Sequence, residues 1–207
     1  ILEDILPPII RDSFLFKFII KNFVSKTLLN LKTNILKISQ KEYLNLYKNL
    51  NRVHKDTDLS QICIDEILRN IKPHTILDVG CGEGFLLNRI KEKFNNVSLT
   101  GIEMNVSTNI KKKLRDNKIR LMETKIENLN KIKLKYDTVI CTHVLEHILD
   151  INLAYDNLKK ICKKRLIIVV PRERPYNYTF NAHVHFFPYK WSFINTIRPK
   201  KKFIIKD

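Results

Sequence analysis

The stretch from Thr75 to Leu87 constrains the fold most. It opens with a compact apolar run, Thr75–Val79, which is closed at once by a turn signal and therefore predicts a short buried strand. The chain has only four glycines, and three of them follow within five residues, at Gly80, Gly82 and Gly84. Such clustering in a glycine-poor chain indicates unusual backbone angles or the close approach of a ligand.

A helix is predicted directly after this turn, because Phe85, Leu86 and Ile90 have the spacing of one apolar face. Its unpaired N–H groups and the positive end of its dipole would face the space beside the turn. The turn reads G-x-G-x-G, whereas the dinucleotide fingerprint is G-x-G-x-x-G, and Phe85 occupies the place of the third glycine. This difference argues against a dinucleotide ligand.

Glu103 closes the next apolar run, Val97–Ile102, which predicts the second strand. A carboxylate at that point can accept hydrogen bonds from both hydroxyls of a ribose. A glycine turn and a ribose-binding acid, without the geometry for a pyrophosphate, predict a nucleoside ligand that carries no phosphate. The alternative is an α/β domain whose glycine turn only packs tightly.

Two segments resemble the class I S-adenosylmethionine-dependent methyltransferases. Ile76–Gly84 (ILDVGCGEG) is similar to their first motif, and Val144–Ile148 (VLEHI) is similar to the fourth-strand motif of the branch that methylates small molecules. The likeness extends from about Asp56 to the C-terminus and implies an enzyme with S-adenosyl-L-methionine as its cofactor. The cofactor-binding residues that it implies are Asp78, Gly80, Cys81, Gly82, Gly84, Glu103, Met104, Ile126, Cys141 and Thr142.

One position departs from the pattern of this family. Relatives often carry an acid where Lys125 stands, and that acid meets the amino group of adenine. Without it, the backbone N–H of Ile126 and the side chain of Glu127 are the remaining candidates for this contact.

The order of the elements predicts an α/β fold, a Rossmann-like parallel sheet with helices on both faces and the ligand at the C-terminal ends of the strands. The later strands are predicted at Ile119–Met122, Asp137–Cys141 and Leu166–Val170. Helices are predicted from Thr57 to Ile71, from Val106 to Leu114, from His147 to Cys162 and from Trp191 to Ile197. A sixth strand is predicted at Phe203–Ile205, and the C-terminal hairpin is predicted to be incomplete because no residues remain for a seventh.

Residues 1–55 differ in composition and predict a basic amphipathic helical extension in front of a methyltransferase domain at residues 56–207. Apolar residues recur there with helical spacing and lysines stand between them. We favour an extension that packs on the main domain, or on a second copy in a homo-oligomer. An interfacial membrane helix is the alternative, because packing faces and membrane faces look alike in sequence.

The net charge of +17 invites nucleic acid, an anionic membrane surface or an acidic substrate. The lysines are spread along the whole chain, so a general residue bias is favoured over a nucleic-acid footprint, which should be clustered. The four cysteines form no C-x-x-C pair and predict a reduced, cytoplasmic protein. No apolar run is long enough to predict a transmembrane segment.

Methyl transfer from a sulfonium is an in-line displacement, so the protein must mainly align donor and acceptor. A hydroxyl acceptor gains from a base or a metal ion that removes or weakens its proton. The candidates should therefore lie on the loops after the fourth and fifth strands. His147, His143 and His185 are the predicted catalytic bases, since histidine titrates near neutral pH.

The same stretch raises a metal alternative. His143–His147 reads H-x-x-E-H, a metalloprotease pattern that we reject because it follows a sheet strand. It also resembles the E-x-x-E-H stretch of ubiquinone-biosynthesis O-methyltransferases and small-RNA 2′-O-methyltransferases, which binds a divalent ion. No metal is the favoured prediction, and the alternative is a zinc or manganese site, made by His143, Glu146, His147 and His185.

The loop from Pro171 to Tyr178 is predicted to contact the acceptor through Arg172, Arg174 and Tyr176, which suit a polar or anionic molecule. The sequence thus predicts O-methylation of a small polar acceptor, such as a sugar or related metabolite. A metal-assisted RNA 2′-O-methyltransferase is the first alternative. A non-catalytic cofactor-binding scaffold is the second.

Overall fold

The computed structural model describes residues 6–35, 37–48, 57–72, 74–178 and 181–206. Within them lies a five-stranded sheet of order β3-β2-β1-β4-β5, in which all neighbouring strands are parallel. The strands are β1 Thr75–Val79, β2 Ser98–Glu103, β3 Arg120–Glu123, β4 Tyr136–Thr142 and β5 Cys162–Val169. The predicted parallel α/β sheet is confirmed.

Helices connect these strands and precede them. Those of the N-terminal region are α1 Pro8–Arg11, α2 Phe14–Ile20, α3 Lys26–Leu29, α4 Leu31–Asn34 and α5 Gln40–Lys48. Those of the sheet domain are α6 Gln61–Asn70, α7 Phe85–Lys93, α8 Thr108–Asp116, α9 Ile151–Ile161 and α10 Lys190–Ile197. Side chains of Ser60 and Ser107 cap α6 and α8 by accepting a backbone N–H of the first turn, which fixes where those helices begin. Among the described residues, no helix combines the length and the apolar character needed to cross a bilayer.

The segment after β4 differs from the prediction of one continuous helix to Cys162. It forms a short 3₁₀ helix, Leu145–His147, followed by a break and then α9. Asp150 causes the new start, because its side chain accepts the backbone N–H of Leu153 at 3.0 Å and caps α9. Strand β5 then begins at Cys162, four residues before the predicted Leu166.

The C-terminal prediction is half right. Helix α10 lies where it was predicted, but the sixth strand predicted at Phe203–Ile205 is wrong, since these residues form no strand. Phe203 and Ile204 lie exposed. Within the described residues the sheet therefore ends at β5.

The core has two layers, one on each face of the sheet. Alternate side chains of β1 enter different layers, with Ile76 packing beside α6 and α7 and Leu77 packing beside α9. Both are fully buried, and each such burial stabilises the fold by about 1.5–3 kcal/mol. The two layers hold rigid the C-terminal edge of the sheet, where the predicted site residues lie.

The N-terminal helices pack against the loop that follows β5. Leu28, Leu31 and Tyr43 share a buried cluster with Ala182, and the Tyr43 hydroxyl donates to the Ala182 carbonyl at 2.7 Å. The predicted packing of the extension on the main domain is thus seen for these residues. The predicted domain boundary near residue 55 falls outside the described residues.

Candidate active site

The glycine turn is held in a shape that side chains would prevent. Gly80 has φ +76° and Gly84 has φ +81°, both in the left-handed region that favours glycine. A Cβ atom on Gly80 would lie 2.2 Å from Val144 Cγ2, and one on Gly84 would lie 2.3 Å from Leu114 Cδ2. The turn is therefore pressed against the loop after β4 and against α8.

Glu103 ties the turn to the end of β2. Its Oε2 atom accepts the N–H of Gly82 at 2.9 Å, and its Oε1 atom accepts the N–H of Met104 at 2.7 Å. A carboxylate has about four lone-pair sites, so the group keeps capacity to accept two further hydroxyl donors. The predicted ribose acid therefore lies beside the glycine turn and faces it.

Asp78 lies beneath the turn in β1 and is 2 % exposed. Its Oδ1 atom is buried and has no hydrogen-bond partner among the described residues. Burial, together with the nearby Glu103 carboxylate, raises the pKa of Asp78 to about 7. A buried carboxyl with an unused oxygen fits a cationic or donor group of a ligand bound at the turn.

The remaining predicted cofactor residues lie along the neighbouring strand ends. Cys141 is fully buried in the core, so only its backbone is available to a ligand, and Thr142 ends β4. Ile126 begins a 3₁₀ helix, Ile126–Lys131, with its side chain buried. The side chain of Glu127 accepts the Gln40 amide at 3.2 Å, which leaves the Ile126 backbone as the freer candidate for an adenine contact.

A second group of polar side chains lies just after β4. His143 adopts φ +53°, a left-handed conformation that is uncommon for a residue with a side chain, while its N–H donates to Val169 at 3.0 Å. This turn directs the chain into the 3₁₀ helix, where Glu146 is fully buried. Neither carboxylate oxygen of Glu146 has a hydrogen-bond partner among the described residues, and His143 Nδ1 lies 3.4 Å from Oε1.

The charge states of the two neighbouring histidines differ. Burial lowers the pKa of His147 to about 4, so its imidazole is neutral at pH 7. For His143, burial lowers the pKa, but the Glu146 carboxylate outweighs burial and raises it overall. The Nδ1 atom of His147 is buried and makes no hydrogen bond with any described residue.

His183 completes this group from the loop after β5. Its ring meets that of His147 edge to face, with centroids 4.7 Å apart. One carboxylate oxygen of Glu173 is hydrogen-bonded to His183 Nδ1. The other accepts a hydrogen bond from the Asn181 side-chain amide at 3.0 Å. Burial raises the pKa of Glu173, but its bonds to His183 and Asn181 outweigh burial and lower it overall.

Glu146, His147 and His183 each offer one ligand atom, and these atoms lie within 4.8 Å of one another. This arrangement corrects the predicted four-residue set, because His185 lies outside the group. Its Nε2 atom is 2.8 Å from the Ile148 carbonyl, and its ring stacks on Phe187. The structure thus places His185 apart from the group, and His143 contacts Glu146 without joining it; the predicted role of His185 as a base stays a prediction.

The three side chains predicted to contact the acceptor do not lie together. Arg172 donates to the Pro188 carbonyl at 3.3 Å, and Arg174 is exposed. The Arg11 guanidinium carbon lies 3.2 Å from the centroid of the Tyr176 ring. Tyr176 also lines a cavity of about 410 Å³. The cavity lies between the N-terminal helices and the loops after β5, and its walls are Asp12, Lys32, Ile35, Pro175, Tyr176, Asn177, Val184 and Phe186.

Two features of this site were not predicted. Glu173 stands between two arginines in the loop that was predicted to contact the acceptor, and no role was predicted for it. His183 and His185 occur as H-x-H, a spacing that by itself does not tell which ring faces inward. The H-x-H pair therefore indicated that one of the two histidines could join the site, and only the tertiary structure shows that it is His183.

Known proteins are similar to this chain over the sheet that carries the glycine turn and the end of β4. Residues 77–165 match the family model described as a methyltransferase domain. The chain is 33% identical over 121 residues to a Rickettsia typhi protein named ubiquinone biosynthesis O-methyltransferase, covering 54% of this chain and 49% of the relative. It is 31% identical to the protein of that name from Rickettsia bellii, covering 54% and 50%.

The chain thus spans about half the length of the curated relatives it matches. Among solved structures, PigF with SAH is similar at a TM-score of 0.53 and 16% identity, over 65% of this chain and 47% of that chain. At this identity the likeness supports the fold alone. It agrees with the α/β fold of a parallel sheet and helices.

Proposed function

We propose that the chain is a class I S-adenosylmethionine-dependent methyltransferase that transfers a methyl group from S-adenosylmethionine to a hydroxyl of a small polar acceptor. The observation that carries the proposal is the Glu103 carboxylate bonded to the Gly82 N–H, within the matched residues 77–165. The relatives' names, which specify O-methyltransferases of ubiquinone biosynthesis, favour oxygen as the acceptor atom. A sugar hydroxyl remains the prediction from sequence.

The residues at the turn fit the cofactor. S-adenosylmethionine supplies a methyl group on a positively charged sulfur, which is already activated for transfer. Glu103 would accept the two ribose hydroxyls with its unused lone pairs, and the glycine turn leaves its backbone accessible. The unpartnered oxygen of Asp78 would accept the ammonium group or a water that bridges to it.

The acceptor hydroxyl would be activated at Glu146, His147 and His183. A neutral imidazole can accept a proton, and His147 is neutral at pH 7 because burial lowers its pKa to about 4. So low a pKa makes His147 a weak base, which favours ligation over proton transfer. The same three residues would hold a divalent ion such as Zn²⁺ or Mn²⁺, which would lower the pKa of the acceptor hydroxyl.

Burial is the argument for the ion over the base. A carboxylate removed from water costs several kcal/mol unless a charge or hydrogen bonds compensate it. Both Glu146 oxygens lack a hydrogen-bond partner among the described residues, and the His143 ring, 3.4 Å from Oε1, compensates the charge only in part. Glu173 supports the same interpretation, because it orients one of the three residues that would bind the ion. A carboxylate on the far nitrogen of a ligating histidine orients the ring and raises its basicity, and Glu173 holds His183 Nδ1 in this way.

The cavity beside this group would take the acceptor. Its volume of about 410 Å³ lies within the range of small-molecule sites. Phe186 and Val184 give it apolar walls, while Asp12 and Asn177 give it polar ones. Val184 and His185 both donate their backbone N–H to the Glu146 carbonyl, at 2.8 and 3.1 Å, so the cavity wall is joined directly to the 3₁₀ helix.

Two measurements test the proposal. Calorimetry with S-adenosylmethionine should give saturable binding, and labelled methyl should reach a hydroxyl in a panel of a catechol, a simple sugar and a short single-stranded RNA. Transfer to the catechol or the sugar is the expected outcome. Transfer to RNA alone would establish the first alternative, binding without any transfer would favour the scaffold, and no binding would overturn the proposal.

The ion is tested separately by calorimetric titration of Zn²⁺ and Mn²⁺ into the chelator-treated chain. His183→Ala should weaken binding by about 10-fold or more. His185→Ala is the matched control, since its ring lies one residue away and bonds to the Ile148 carbonyl instead. Equal binding by both variants, or none by the parent chain, would leave proton transfer to His147 as the mechanism.

A further inference from the structure

Helix α2 is apolar on two opposite sides. Phe16 and Ile20 point inward and join a buried cluster with Leu29. Phe14 and Phe18 point outward, and they are 80% and 53% exposed. A helix with apolar residues on most of its circumference is normally enclosed on all sides. None of the residues that the structure describes covers the outward side of α2.

The exposed side chains of α2 continue onto its neighbours. We define the N-terminal apolar surface as the exposed side chains Ile9, Phe14, Leu15, Phe18, Ile19 and Phe23. Each is at least half exposed, and all six occur within fifteen residues of one another. Single exposed apolar residues are ordinary, whereas a concentration of large ones marks an interaction site.

The charge around this surface is mostly positive, and Asp12, the one acid among residues 9–23, accepts the Asn177 N–H. From Ser13 to Lys41 inclusive the chain has six lysines and neither Asp nor Glu, and one of them, Lys32, has its ammonium buried against Phe186 at the cavity. Lys21 lies against the surface, with its ammonium 3.7 Å from the centroid of the Phe18 ring, and Lys26 is exposed on the next helix. A general lysine bias does not explain a segment of this length without acids.

We infer that the N-terminal apolar surface binds an anionic lipid membrane, with its aromatic and aliphatic side chains entering the interface and the lysines meeting the lipid headgroups. This combination of an exposed apolar face and flanking lysines is that of interfacial helices that lie in the plane of a membrane. Binding should scale with both the buried apolar area and the anionic lipid content.

Charge separates this occupant from two others. A second copy of the chain would bring the same lysine-only segment and a net charge of +17 against itself. Nucleic acid would satisfy the lysines and could stack on the phenylalanines. Nucleic acid would not bury the aliphatic side chains of Ile9, Leu15 and Ile19, whereas the hydrocarbon region of a membrane would.

The membrane would also lie close to the cavity. Asp12 lies between α1 and α2, and it both lines the cavity and accepts the Asn177 N–H at 2.7 Å. A chain bound through this surface would therefore hold the cavity near the lipid. The lipid interaction itself does not depend on the proposed methyl transfer, and it can be tested without it.

The test is cosedimentation of the whole chain with vesicles. Vesicles of phosphatidylcholine with one-third phosphatidylglycerol should bind about 10-fold or more tightly than phosphatidylcholine alone, because each nearby lysine contributes about fivefold. The Phe14→Ser/Phe18→Ser variant should lose about 10-fold or more of this binding. Ile62→Ser is its matched control, since Ile62 is 78% exposed on α6 and should change nothing.

The lysine contribution has its own pair of variants. Lys21→Gln should weaken vesicle binding about fivefold. Lys112, which is exposed on α8, lies outside the N-terminal apolar surface, so Lys112→Gln should leave vesicle binding unchanged. Thermal unfolding should be the same for all four variants, because the substituted side chains are exposed. A vesicle-binding loss equal in test and control variants would overturn the inference.

Three other outcomes would also overturn it. One is equal binding, or no binding, to the two kinds of vesicle. Another is a dimer in sedimentation velocity that Phe14→Ser/Phe18→Ser dissociates, which would make the surface a contact between copies. The last is single-stranded RNA binding that depends on Phe14 and Phe18 while vesicle binding does not.

Discussion

The two halves of the candidate site are built in different ways. The cofactor half, which comprises Asp78, the glycine turn and Glu103, comes from two adjacent strands and is braced by backbone hydrogen bonds. The acceptor half, which comprises Glu146, His147, Glu173 and His183, comes from two separate loops and leaves buried polar atoms without hydrogen bonds. Within the described residues the first half leaves one such atom, Asp78 Oδ1, whereas the second leaves both Glu146 carboxylate oxygens and His147 Nδ1 without a partner.

Gly80→Ala should have the largest effect, because the cofactor half is close-packed. The new Cβ would meet Val144 Cγ2 at 2.2 Å on a backbone with φ +76°. We expect a loss of about 3 kcal/mol in the free energy of unfolding, measured by urea denaturation. Val144→Ala should restore part of it in the double variant. If Gly80→Ala were neutral, the turn would not be braced by that loop.

Asp78→Asn should change how stability depends on pH. The pKa of Asp78 is raised to about 7, so the folded chain binds a proton that the unfolded chain has released. The free energy of unfolding should therefore fall between about pH 4 and pH 7, with a slope approaching 1.4 kcal/mol per pH unit. The variant should lose this slope, as seen by denaturation at several pH values.

Asp137→Asn is the matched control for that slope. Hydrogen bonds from Lys164 and Thr75 lower the pKa of Asp137 to about 2. Its stabilisation is present above about pH 4 and is lost as the pH falls toward 2. The control should therefore keep the parent slope between pH 4 and pH 7. An unchanged slope in Asp78→Asn would show that Asp78 is not buried as described.

Glu103→Gln should weaken S-adenosylmethionine binding about 30-fold, because a hydrogen bond to a charged group contributes about 1.5–3 kcal/mol. Glu123→Gln is the control, since Glu123 ends the neighbouring strand in register with Glu103 but pairs with Lys111 at the surface. Calorimetry measures both. Equal affinities for the two variants would remove Glu103 from the cofactor half.

Glu146→Gln should separate stability from function in the acceptor half. Glu146 is fully buried, accepts no hydrogen bond from the described residues and has only the His143 ring near it, 3.4 Å from Oε1, so replacing its charge by an amide should raise the free energy of unfolding of the metal-free chain by about 1 kcal/mol. Methyl transfer should fall at least about 10-fold, because the activating group loses its carboxylate. Denaturation with chelator and the labelled-methyl assay report the two effects. A destabilised variant would mean that the His143 contact already compensates the Glu146 charge within the protein.

The cofactor half could be predicted from sequence because its determinants are local. Strand β1, the turn and α7 follow one another directly, and Glu103 is found one strand later. The break after His147 was missed because an apolar period continues through it, whereas the cap at Asp150 interrupts the helix. Strand edges such as Cys162 depend on pairing with β4 rather than on apolar runs.

The acceptor half could be predicted only in outline. Glu146 and His147 were identified from the sequence. Which of His183 and His185 joins them depends on tertiary structure, because His185 is hydrogen-bonded to the Ile148 carbonyl, 37 residues away in the chain. Glu173 gave no signal, because its partners His183 and Asn181 come from further along the chain. The outward face of α2 had the pattern of an ordinary packing helix, and only its exposure shows that it is uncovered.

A crystal structure of the chain with S-adenosylhomocysteine tests the central claim most directly. The account requires both ribose hydroxyls within hydrogen-bond distance, about 2.6–3.2 Å, of the Glu103 carboxylate, with the sulfur directed toward Glu146 and His147. A nucleoside bound elsewhere, or a ribose that Glu103 does not touch, would contradict it.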